Sequence, residues 1–124
     1  MSEPSAARTY PYPNEPSWSR SERAIARKVF DGALKRELQE VMLEAKRMAS
    51  QIKEPADLWD LERYLTQRRK DIDRRYDYRG SRLISLLGML LSERRIREEE
   101  LGGLREDQMK AIRSAAKVLS GNAA

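Results

Sequence analysis

At 124 residues the chain has room for one small domain; with 36% charged and 40% hydrophobic residues it is too polar for a membrane protein and too apolar to be wholly disordered. It contains no cysteine and no histidine, which excludes disulfide scaffolds, thiolate zinc sites, thiol nucleophiles and every catalytic arrangement built on imidazole. The net charge of +5 is dispersed, with residues 1–18 summing to −1, 19–53 to +4, 54–82 to +1 and 83–124 to +1, so a surface laced with ion pairs is expected ahead of a phosphate-binding face.

Residues 1–17 hold four of the five prolines and show no helical period, which predicts a flexible or polyproline-like arm in which Tyr10 and Tyr12 alternate with Pro11 and Pro13. A helix over 19–53 follows. Its start is marked by a capping box, Ser19-Arg20-Ser21-Glu22, with Trp18 placed as a hydrophobic staple. Leu34, Leu38, Val41, Ala45, Met48 and Ile52 are spaced 4, 3, 4, 3, 4, a heptad seam, and Ile25, Val29 and Phe30 extend the stripe backwards. A helix of roughly 33 residues is about 50 Å long, too long for a core of this size to cover, so it needs a partner helix.

Pro55 ends that helix at the residue before it and suits the first position of the next, where Asp57 places negative charge at the N-terminus. The second helix carries Leu58, Leu61, Leu65, Ile72 and Tyr76 on one face. The stripe is interrupted at Arg68 and Arg69, which either snorkel to the edge or pair with a carboxylate across an interface. Gly80 is the expected helix end and Ser81 the next N-cap. Residues 83–91, LISLLGMLL, are the most apolar stretch, too short to span a membrane and predicted as the buried helix of a small head. A turn at Leu101-Gly102-Gly103 and a last helix over 104–119 complete the chain. The predicted fold is all-α, with an arm (1–17), a dimerisation stem of two long helices (18–79) and a helical head (80–124).

Little here points to catalysis. With six glycines there is no GxGxxG or Walker-type loop, and Asp71 and Asp73, two residues apart on a helix, point to different faces and make a poor metal site. The densest charge, Arg68 to Arg79, suggests a nucleic-acid face with Tyr76 and Tyr78 stacking on bases, but Asp71, Asp73 and Asp77 lie within it and Asp71 faces Arg74 and Arg75. Trp59 lies outside the apolar stripe. It either caps the stem against the first helix or anchors a dimer or partner interface, where Trp and Arg are enriched. No secretory signal or membrane span is read, so the cytoplasm is the expected compartment.

Trp18-Ser19 opening a long helix, Asp57-Leu58-Trp59, Tyr64-Leu65, Arg69-Lys70-Asp71-Ile72-Asp73 and Tyr76-Asp77-Tyr78-Arg79 resemble, in order and spacing, the fluorescence recovery protein family of cyanobacteria, over about residues 18–119. The resemblance implies an all-helical homodimer without a cofactor or catalytic residues. It implies binding to the C-terminal domain of the photoactivated orange carotenoid protein and a faster return of that protein to its dark orange state, which ends quenching at the phycobilisome. Trp59 and Arg69 match family positions tied to dimerisation and activity, and one helical face, with Trp59 and the positions a turn along, is where the resemblance places the family's dimer and partner contacts; Asp60, Glu62 and Arg63 are the further candidate interface residues. Arg63 stands where the family has Asp, Glu62 where a His is found, and Ser85 where an aromatic is expected near the start of the head helix. A family-type ion pair would be rebuilt with Glu62 or Asp60 serving Arg69. In the head, Ser85 and Lys110 are the candidate partner contacts. Two further readings stand beside this one: a scaffold dimer of the same fold for another protein, and nucleic-acid binding through the Arg-rich second helix, which the interleaved carboxylates disfavour.

Overall fold

A computed structural model describes residues 17–121. All its regular elements are helical: α1 (Arg20–Ser50), α2 (Pro55–Arg75), a 3₁₀ turn (Gly80–Arg82), α3 (Leu83–Ser92), a second 3₁₀ turn (Glu98–Leu101) and α4 (Glu106–Leu119). The predicted arm lies outside the described residues apart from Ser17. The chain forms two compact units. One, the stem, is Gly32–Asp77; the other, the head, joins the residues up to Asp31 with those from Tyr78 onward. The boundary expected at 79/80 thus runs between Asp77 and Tyr78 and a second time within α1, whose first three turns belong with the head.

The capping box forms as the residues dictate. The Ser19 amide donates to Glu22 Oε1 (2.8 Å) and the Glu22 amide donates back to Ser19 Oγ (3.1 Å). Trp18 is half-buried, and its indole N–H is buried without a hydrogen-bond partner among the described residues. The fourth helical position is Arg23, so a staple finds no apolar side chain there.

In the stem, α1 stops at Ser50 and, after four intervening residues, α2 begins with Pro55 at its first position. Asp57 reaches back, accepting from the Lys53 (2.9 Å) and Glu54 (3.2 Å) amides, which fixes the corner. The helix α2 does not run to Gly80. It ends at Arg75, where the Tyr76 amide makes the last bond to Ile72 O (2.9 Å), because the side chains that follow are held by tertiary contacts. Tyr76 donates its hydroxyl to Glu37 (2.8 Å) in the stem, and Tyr78 in the head packs edge-on to Phe30, centroids 5.0 Å apart at 71°. Ser81 falls inside the 3₁₀ turn, and Arg82 occupies the N-cap of α3.

The head core is aliphatic. Leu83, Ile84, Leu87 and Leu90 from α3, Ile96, Leu101, and Ile112 from α4 are buried with Ala26, Val29 and Phe30 of α1. Each large side chain contributes about 1.5–3 kcal/mol. Helices α3 and α4 approach so closely at Gly88 that an added Cβ would lie 2.7 Å from Ala115 Cβ and 3.2 Å from Ala116 N. Gly103 adopts φ +104 and leaves room for Ile25 Cδ1.

Helix α3 ends in a Schellman motif: the Arg95 amide bonds Leu90 O (2.8 Å) and the Arg94 amide bonds Leu91 O (3.1 Å). The left-handed position it requires is filled by Arg94, φ 59, rather than by glycine. Arg94→Gly is expected to stabilise the protein by about 1 kcal/mol, read as a raised urea midpoint with unchanged slope.

Candidate interaction surface

The stem is organised by one carboxylate. Glu37 on α1 has a fully buried side chain. It accepts from Arg68 Nη2 (2.8 Å), from the Arg75 guanidinium and from the Tyr76 hydroxyl (2.8 Å). Arg68 and Arg75 are largely withdrawn from solvent. The carboxylate that answers the break in the α2 stripe is therefore on the same chain. Arg68 turns inward to it, while Arg69 turns outward.

This sets which face of α2 points away. Leu61, Tyr64, Arg68, Ile72 and Arg75 step by three or four residues along the withdrawn face. Leu58, Glu62, Leu65 and Arg69 step by 4, 3, 4 along an exposed one. Leu58 and Leu65 belong to the apolar stripe that is expected to need a partner helix, and within one chain they are exposed, Leu58 at 46% and Leu65 at 40%. Leu38 and Met42 on α1, and Ile52 just past its end, are exposed as well, and Leu43, at 70%, more so. The exposed apolar side chains are therefore concentrated on the stem helices and the corner that joins them.

Trp59 is 57% exposed, so it does not cap the stem against α1. Asp60 and Arg63 pair with each other, both in solvent. Glu62 accepts from Thr66 Oγ1 (3.0 Å). Within one chain neither Asp60 nor Glu62 serves Arg69, whose carboxylate is Asp73 at 3.9 Å. Arg74 pairs with Asp71 (3.2 Å) as expected, whereas Arg75 goes to Glu37. In the head, Ser85 is half-buried on α3 and Lys110 is exposed on α4. Among the described residues no group of three or more acidic side chains is placed to hold a metal ion, and no helix is long and apolar enough to cross a membrane.

The head has its own polar centre, also unread in the sequence. Glu22 accepts from the Ser19 amide, from Gln108 Nε2 (3.0 Å) and from Arg105 Nη1 (2.9 Å). Gln108, fully buried, also donates to Ser17 O (3.1 Å) and accepts from the Arg105 amide (2.9 Å). The Ser19 backbone amide first, then the Gln108 side chain, hold the Glu22 carboxyl below its ordinary range against the opposing effect of burial, and Arg105 adds to this.

The fold is thus that of a small all-helical protein whose stem leaves several large apolar side chains exposed. Residues 18–116 match the family described as the photoprotection regulator fluorescence recovery protein. The fluorescence recovery protein of Synechocystis sp. strain PCC 6803 is 36% identical over 104 residues, 84% of this chain and 95% of that one. Its solved structure superposes with a TM-score of 0.76 over 82% of this chain and 99% of the other. The Fremyella diplosiphon fluorescence recovery protein, 33% identical, does so at 0.76 with the same coverage. The chain belongs to the fluorescence recovery protein family, regulators of photoprotection.

Two outcomes follow from the polar centres. Glu37→Ala leaves Arg68 and Arg75 without their carboxylate and is expected to cost about 3 kcal/mol or more by urea unfolding, whereas Arg69→Ala costs little in the same assay. For Glu22, a folded pKa below the unfolded value of about 4.3 means its contribution is complete above that pH and is lost as pH falls through the folded pKa. Glu22→Gln should therefore lower the melting temperature at pH 7, and the gap to the parent should close on acidification below pH 4.

Proposed function

We propose that this protein is a non-catalytic regulator that acts by binding. A homodimer built on the stem takes the C-terminal domain of a photoactivated orange carotenoid protein, or a related carotenoid-binding domain, and speeds its return to the dark orange state. Photoprotective quenching then ends. Such a regulator works by favouring one conformation of its partner over another. In this reading it acts in the cytoplasm and needs no cofactor.

The observation that carries the reading is the outward face of α2, where Trp59 is largely exposed beside the stripe Leu58, Glu62, Leu65 and Arg69, in a chain of this family. A large aromatic flanked by arginine and apolar neighbours is the composition of an interface centre. The α2 arginines also speak against a phosphate-tracking role, since Arg68 and Arg75 face Glu37, Arg69 faces Asp73 and Arg74 faces Asp71. A second reading, the same helical dimer serving a different protein, is favoured by Arg63. It reverses the charge expected at its position and is held by Asp60.

The test is the dark recovery of photoactivated orange carotenoid protein, followed by absorbance with and without this protein. Faster recovery is expected, and Arg63→Asp should raise it further. No acceleration from a preparation shown to be a folded dimer overturns the proposal and leaves the second reading. Trp59→Ala and Arg69→Ala are each expected to shift the dimer toward single chains at low micromolar concentration. Light scattering after size exclusion reads this, and an unchanged dimer in both variants removes α2 from the interface.

A further inference from the structure

The head carries a group of cations for which the stem face has no use. Arg20, Arg23 and Arg27 step by three and four residues along one stripe of α1. Arg27 Cζ sits 4.6 Å from the centroid of the Tyr78 ring and 5.6 Å from that of Phe30, and its Nε lies 3.2 Å from Asp31. Arg23 reaches the next turn of chain, where its Nη1 would lie 3.0 Å from a Cβ at Gly80. Gly80 is not among the residues of positive φ, so its backbone does not require glycine; the space its missing side chain leaves is filled by the Arg23 guanidinium. Arg79 and Arg82 flank Gly80, and all five arginines are exposed. Neither Arg23 nor Arg82 meets a carboxylate among the described residues, although ion pairs are frequent over the rest of the surface.

We infer that this cluster is a docking surface for an acidic segment of a protein partner, with Arg23 and Arg82 as its free cations and Gly80 as the seat that holds Arg23 against the turn. Stacking on aromatic rings orients a guanidinium while leaving its edge free for planar, two-pronged contact with carboxylates. A nucleic acid fits less well. The cluster is short, and Asp31 interrupts it at 3.2 Å from Arg27 Nε. The inference concerns the head and does not depend on which protein the stem serves.

The test uses the full chain and a fluorescein-labelled deca-glutamate peptide, read by anisotropy at rising salt. Binding that weakens steeply with salt is expected for the parent. Arg23→Glu/Arg82→Glu should weaken it by roughly tenfold or more, Arg23→Gln/Arg82→Gln by less, and Lys46→Glu, on the stem, should leave it unchanged. Gly80→Ala should weaken binding several-fold with an unaltered melting temperature, because the added methyl displaces only the end of a flexible side chain. Absence of binding by the parent overturns the proposal, as does equal loss in Lys46→Glu, which would mark a response to net charge alone. Retained affinity in both double variants, each checked for folding by circular dichroism, also overturns it. Tighter binding of a ten-nucleotide single-stranded RNA than of the peptide would overturn the choice of a protein partner.

Discussion

A single buried carboxylate governs the stem. Taking Glu37 out of water is costly, and the cost is offset only because Arg68, Arg75 and the Tyr76 hydroxyl converge on it. Arg68 and Arg75 are seven residues apart, two turns of helix, so meeting one acceptor fixes the rotation of α2 about its own axis. With that rotation set, Leu58, Glu62, Leu65 and Arg69 have nowhere to go but outward. The face that the proposed dimer uses is thus a consequence of a charge buried behind it. A purely aliphatic seam would allow α2 to rotate or slip with little penalty; a charge cluster does not.

The head obtains its order differently. Its interior is aliphatic, and close approach is secured by small residues, Gly88 against Ala115 and Gly103 beneath Ile25. Polar direction comes from Glu22 and Gln108, which satisfy each other and tie α4 to the opening turn of α1. The two units therefore offer contrasting surfaces. The stem presents apolar side chains with charges paired among themselves, whereas the head presents arginines seated on rings and on a glycine.

Much of this was legible before any coordinates. Ser19 and Glu22 announce the first helix, Pro55 and Asp57 the second, and LISLLGMLL the buried helix of the head. What stayed hidden was tertiary. The heptad through Leu34 and Leu38 is real as spacing, yet Glu37, one residue away, is the buried position and Leu38 is largely exposed. A charged residue in a charged stretch of helix carries no mark that it will be buried and neutralised by arginines 31 and 38 residues later. The end of α2 was misplaced for the same reason, since Tyr76 and Tyr78 leave the helix to meet Glu37 and Phe30. Glu22 was read as a cap alone; its bonds to Arg105 and Gln108 join opposite ends of the chain. In the candidate site, the resemblance singles out Trp59 and Arg69, but only the geometry decides that Trp59 is exposed rather than packed on α1 and that Asp60 and Arg63 are occupied with each other.

The head is assembled from both ends of the chain, and this bears on how it can be made. Glu22 and Arg105 are separated by 83 residues. On a ribosome adding about 5–20 residues per second, the first turns of α1 wait on the order of ten seconds for the helices that cover them. Through that interval Val29 and Phe30 have no native cover, while the bonds of Arg68, Arg75 and Tyr76 to Glu37 can already form once Tyr76 has emerged. The nascent chain therefore completes its stem before it owns a closed core, and if the stem is the proposed dimer surface, two neighbouring chains on one message would meet through it while their heads are still unfinished.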